Sequence, residues 1–206
     1  MDRQKNRCTA ALSNEKWVAV GLFSGIFFFF IGQPFIPLLG IETDEALFAS
    51  PLFEPLTAIY SWHIGAHLQI PLMLISYLGC LKTLLYAPVF KLFGSGIHTI
   101  REPALIAGAV SVWLFFLLLR RVFGNLTAAI GCCLLSMDSL YLLTTCYDWG
   151  PVALQHLLIV GGALALVRFY QTQSEISLAA GWFLWGLALW DKALALWVLS
   201  GLGVAC

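Results

Sequence analysis

The sequence predicts an all-α integral membrane fold, a multi-pass helical bundle whose long extracytoplasmic first loop carries interfacial helices. Three observations lead there. Of the 206 residues, 60% are hydrophobic and 11% charged, against about 45–50% and 25% in soluble domains. The apolar residues gather in runs close to the roughly 20 residues a helix needs to cross the hydrocarbon. The charges fall mostly between those runs. Eleven Lys and Arg balance eleven Asp and Glu, so no basic field points to nucleic acid as a partner.

The first element follows a basic stretch, 1–16, that carries Arg3, Lys5, Arg7 and Lys16. Residues 17–39 are then apolar apart from Ser24 and Gln33. This run is longer than a signal h-region, and Gly32-Gln33-Pro34 leads into no small-x-small cleavage site. It reads as an uncleaved first helix with its N-terminus in the cytoplasm. Further runs cover 103–119, 126–145 and 151–167, and a fifth, 176–190, ends at Asp191-Lys192. A sixth begins at Ala193 and is still apolar at Cys206, so the expectation is a chain truncated at its C-terminus. The expected organisation is a single transmembrane domain over 1–206: a tail (1–16), a first membrane helix (17–39), an extracytoplasmic loop (40–102) and further membrane helices (103–206).

Residues 70–93 decide the topology. The segment is apolar enough to span, yet it contains Pro71, Lys82, Pro88 and Lys91. Counting basic residues does not settle it, because spanning and non-spanning topologies each leave seven of the eleven inside. A lysine at a helix centre costs about 2.5–3.5 kcal/mol on insertion scales, and prolines suit short interfacial helices better than a straight span. The interfacial reading puts Asp44, Glu45, Lys82, Arg101, Asp148, Asp191 and Lys192 on one aqueous side, with Arg120, Arg121 and Arg168 on the other. Six cysteines, Cys8, Cys80, Cys132, Cys133, Cys146 and Cys206, form no CxxC pair and read as packing residues.

Four short motifs carry chemistry. Asp44-Glu45-Ala46 follows the first membrane helix at once. Leu81-Lys82-Thr83 continues through Ala87-Pro88 to Lys91-Leu92-Phe93-Gly94. Arg101-Glu102-Pro103 leads through Ala107-Gly108-Ala109 to Leu119-Arg120-Arg121-Val122-Phe123-Gly124. Tyr147-Asp148-Trp149-Gly150-Pro151 is followed later by Asp191-Lys192. In this order, over about residues 17–195, the chain resembles the dolichyl-phosphate-mannose protein mannosyltransferase-like family, polytopic glycosyltransferases of the GT-C type. It departs from the family's pattern at Lys82-Thr83-Leu84, where Lys-Pro-Pro is frequent, and at Asp191, where Thr is usual.

The resemblance implies transfer of a sugar from a polyprenyl-phosphate donor to a protein, lipid or glycan acceptor on the extracytoplasmic face, with inversion. It implies residence in a bacterial-type plasma membrane or the endoplasmic reticulum. An attacking hydroxyl must lose its proton, and a positioned carboxylate can take it. The family's first-loop acid maps onto Asp44, with Glu45 as helper or as an acceptor or metal contact. The leaving phosphate needs cations, for which Lys82, Arg101 and Lys192 are the candidates. Asp148 would position the acceptor, tune Asp44 or hold a divalent ion; no other cofactor is implied.

Plainer roles compete at several positions. Thr43 or Asp44 would cap an interfacial helix, and Asp148 would cap the helix entered by Pro151. Lys82 and Arg101 would snorkel to headgroups. His63 and His67, four apart, would share one helix face without metal. Asp138 lies deep in the 126–145 run, either functional or bonded to Ser136 or Ser139. The competing function is a non-enzymatic polytopic protein, a transporter fragment or lipid-binding scaffold. A transporter places ionisable residues at the midplane and shows repeats or broken helices; only Asp138 is deep here, and no repeat is present.

Overall fold

The computed structural model describes residues 2–38, 40–54, 57–64, 68–147 and 152–205. Helix α1 (Asp2–Gly32) runs into a single 3-10 turn at Gln33–Phe35, where Pro34 suits the first helical positions. The expected first loop then folds as α2 (Thr43–Phe53), three strands β1 (Tyr60–Ile64), β2 (Leu68–Ile75) and β3 (Leu78–Gly79), and α3 (Leu81–Phe93). Helices α4 (Ile97–Phe123), α5 (Asn125–Ser136), α6 (Ser139–Cys146), α7 (Val152–Thr172), α8 (Glu175–Asp191) and α9 (Ala195–Ala205) complete the described chain.

By length and composition, Glu15–Phe35, α4 and α7 can each cross a membrane, and α5 with α6 qualifies as one span bent by 56°. The bend has a local cause. Asp138 adopts extended backbone and its carboxylate accepts the Tyr141 N–H at 2.6 Å, so it ends one helix and caps the next. Its partner is therefore backbone, while Ser136 Oγ donates to the Cys133 carbonyl.

Small residues let the long helices approach. A Cβ on Gly25 of α1 would stand 2.9 Å from the Ala109 carbonyl oxygen of α4, so these backbones nearly touch. Gly21 lies against Phe116 and Gly32 against Leu105, which makes α1 and α4 antiparallel. Phe28, Leu105, Val112, Phe116, Cys132 and Cys146 are buried between α1, α4 and the bent α5–α6 pair. On the far side α7 runs alongside α4, and Arg121 donates to Gln171 where both reach the same end. Helix α8 returns, with Gly162 and Gly181 in close contact.

The segment 70–93 is not one helix. It contains most of β2, all of β3 and the 13-residue α3, and α3 is only about 20 Å long, short of a 30 Å hydrocarbon core. The loop thus carries interfacial-length helices as expected, together with an antiparallel sheet of order β1-β2-β3 that was not expected. His63 stands in β1 rather than on a helix, and His67 lies outside the described residues. The sheet is stitched to α8: Trp190 Nε1 donates to the Leu72 carbonyl at 3.0 Å, and Leu78 bridges Lys192.

Candidate active site

Of the candidate residues, the described ones, Asp44, Glu45, Lys82, Arg101 and Lys192, lie at the end of the bundle where α1 finishes and α4 begins. The sequence Glu42-Thr43-Asp44-Glu45 folds as a reciprocal cap. The Glu42 carboxylate accepts the Asp44 N–H at 2.7 Å, and the Glu45 carboxylate accepts the Glu42 N–H at 2.8 Å. Glu42, not Thr43 or Asp44, is therefore the N-cap of α2. Both acids of the first turn also complement the helix dipole.

Glu45 and Arg101 form the centre of the arrangement. Both side chains are fully buried. Arg101 Nε donates to Glu45 Oε1 and Nη2 to Glu45 Oε2, a two-pronged pairing. The remaining contacts close the ring: Nη1 donates to the Ile36 carbonyl and Nη2 to the Gly40 carbonyl at 2.8 Å. One guanidinium thus joins the end of the first span, the link that follows it, the first turn of α2 and the start of α4. Its Cζ also lies 5.7 Å from the centroid of the Tyr147 ring, bringing the end of α6 to the same place.

Asp44 is the neighbour whose carboxylate is not spent in this way. It is half-buried, and no hydrogen bond or ion pair joins that carboxylate to another described residue. Successive helical residues point about 100° apart, so Glu45 turns to Arg101 while Asp44 faces elsewhere.

Lys82 sits close by. It is buried, with Nζ 4.5 Å from the Phe48 ring centroid and 5.4 Å from that of Tyr86. Phe48 is one turn beyond Asp44 on the same face of α2. Thr83 Oγ1 donates to the Phe48 carbonyl at 2.8 Å, tying α3 to α2. Lys82 is therefore held over aromatic faces, a placement that favours a cation, and does not snorkel outward. Lys192 is half-buried beyond the end of α8, its carbonyl accepting from Gln155 at 2.8 Å, and Asp191 beside it is buried. Asp148 lies outside the described residues.

A second polar chain lines the same end. Gln33 Nε2 donates to Glu102 Oε2 at 2.9 Å, and Glu102 Oε1 lies 3.4 Å from His98 Nδ1. Glu102 and Tyr147 stand within the sequence motifs without an assigned role there, and Gln33, His98, Phe48 and Tyr86 carry no signal of a site in the sequence. The adjoining Arg101-Glu102 pair was the available signal. Among the described residues no three His, Cys, Asp or Glu side chains are grouped to hold a metal ion.

A family model described as dolichyl-phosphate-mannose-protein mannosyltransferase matches residues 79–203. The match takes in Lys82, Arg101, Asp148 and Lys192 and begins after Asp44 and Glu45. No curated protein and no solved structure matches the chain. With a match over more than half of its length and several helices able to cross a membrane, the chain belongs to the dolichyl-phosphate-mannose-protein mannosyltransferase family of membrane glycosyltransferases.

Proposed function

We propose that the protein transfers a sugar from a polyprenyl-phosphate donor to an acceptor hydroxyl on the extracytoplasmic side, with Asp44 as general base. The observation that carries this reading is the division of labour between adjacent acids. Glu45 is saturated by Arg101 and by a backbone N–H, whereas the Asp44 carboxylate beside it is held on the same rigid turn and left for substrate. A pre-positioned carboxylate is what proton abstraction requires.

In the proposed step the acceptor oxygen attacks the anomeric carbon as its proton passes to Asp44. The bond from that carbon to the phosphate oxygen breaks, and the electron pair leaves on the polyprenyl phosphate. Attack opposite the leaving group inverts the anomeric centre. Lys82 and Lys192 would face the developing phosphate charge, where a desolvated cation is worth more than in water. Arg101, with four hydrogen bonds to the fold, acts as a positioning residue that fixes the turn bearing Asp44. Asp148 remains the candidate for orienting the acceptor. An apolar cleft of about 250 Å³ beside Tyr86, lined also by Leu85, Val89, Pro103, Ile106 and Leu154, suits the first isoprene units of such a donor.

The test compares Asp44→Asn with Lys82→Met in one nanodisc preparation. Asp44→Asn keeps the side chain's shape and loses the base. It is expected to lower single-turnover transfer by about 10²–10⁴ with donor binding retained. Lys82→Met is expected to weaken donor binding as well as transfer, because the phosphate is its partner in both ground and transition states. Unchanged transfer by Asp44→Asn would move the base to Asp148.

A further inference from the structure

The hairpin of β1 and β2 is amphipathic in a way the transfer reaction does not require. Trp62 pairs with Ile70, so these side chains share one face of the ribbon, and Ile64, two residues along β1 from Trp62, lies on the same face. Ser61 pairs with Pro71 and His63 with Gln69, which puts the polar residues on the other. Trp62 is 61% and Tyr60 63% exposed, and Ile64 and Ile59 are exposed as well. Among the described strands, β1 is an edge. Between Glu54 and Lys82 the sequence contains no Asp, Glu, Lys or Arg.

We propose that this hairpin lies in the membrane interface, its Trp62/Ile64 face buried at the boundary between headgroups and acyl chains. Two arguments select a lipid surface over a protein partner. First, exposed apolar side chains recur along the chain from the first span to the hairpin, at Leu38, Ile41 and Phe53, so the segment that leads from a membrane helix to the hairpin is itself apolar on its surface. Second, Trp and Tyr with no charged neighbour match the interfacial layer, where an aromatic ring finds apolar contact on one side and water on the other. A water-facing loop of this length would leave a large aromatic and aliphatic patch hydrated, which soluble surfaces avoid. Because β2 and β3 are bonded to the end of α8, such an anchor would set the height of the candidate site at the headgroup layer.

The test uses the full chain in phosphatidylcholine/phosphatidylglycerol nanodiscs, with dansylalanine placed by amber suppression at position 62 or, on the opposite face, at 63. Nitroxides on the lipid headgroup or at acyl carbon 5 should quench position 62 severalfold more than position 63. A soluble nitroxide should show the reverse order. Quenching of both positions by the soluble probe alone would place the hairpin in water and overturn the proposal. Equal quenching of the two by lipid nitroxides would overturn it too, since the ribbon would have no membrane face. Shielding of position 62 from both probes would mean that protein covers it, either a second copy or a chain added to the β1 edge, and would equally overturn it.

Discussion

Asp44 and Glu45 differ by one methylene and one position, yet the fold uses them in different ways. Which acid is consumed depends on Arg101, 56 residues away in the chain, so the sequence could place the pair at the membrane boundary without ranking its members. Lys82 poses the same difficulty. Its position at the start of α3 was readable from the motif, but its cradle comes from two rings on two elements, Phe48 of α2 and Tyr86 of α3. Removing one partner of a buried ion pair leaves the other charge uncompensated, at a cost of about 3–5 kcal/mol. Glu45→Gln is therefore expected to lower thermal stability in detergent markedly. Arg101→Lys should also destabilise, because an ammonium cannot reproduce the planar fork. Asp44→Asn, with no described partner to lose, should melt close to the unmodified protein. Equal melting of all three variants would count against the clamp.

At the scale of elements, periodicity and length located the long apolar helices, since runs of that composition have few other folds. The local interruptions were harder to see. The 126–145 run holds no proline, and its break at Asp138 rests on one carboxylate outcompeting the helix for a backbone N–H. The hairpin was hidden by Pro71, which reads as a helix breaker and is rare in an interior strand. It is tolerated here beside a register irregularity between Tyr60 and Ser61. The alternation Ser61-Trp62-His63-Ile64 was a strand signal, obscured by the four-residue spacing of His63 and His67. If Asp138 sets the bend, Asp138→Asn should be nearly neutral because Asn caps equally well. Asp138→Ala should cost about 1 kcal/mol, read as a lower unfolding midpoint in mixed micelles. A loss of stability as large for Asn as for Ala would assign Asp138 a role that depends on its charge.

For the whole molecule, the antiparallel packing of α1 on α4 and the return of α8 place the candidate site charges and the basic turn residues at opposite ends. Glu45, Lys82, Arg101 and Lys192 stand at one end, and Arg121 and Arg168 flank a common cleft at the other. This separation follows from helix direction alone. The break of 70–93 into strand and short helix leaves no single helix there long enough to cross a membrane. Which end faces the cytoplasm rests on the basic N-terminal stretch, and the proposal that the site end is extracytoplasmic is open to direct measurement. Thr43 at the site end and Gln171 at the other are both exposed, and cysteine at each can be labelled with a membrane-impermeant maleimide in intact cells. Native background should be low from Cys80, whose burial pushes its thiol up to about 12, leaving it protonated and unreactive at neutral pH. Cys132 and Cys146 are buried as well, and Cys8, the exposed Cys133 and Cys206 are replaced by Ser in the parent chain. The expected result is labelling of Thr43→Cys in intact cells, and of Gln171→Cys only after permeabilisation. The opposite order would put Asp44 in the cytoplasm, away from an extracytoplasmic acceptor, and would require the proposed reaction to be rebuilt for that face.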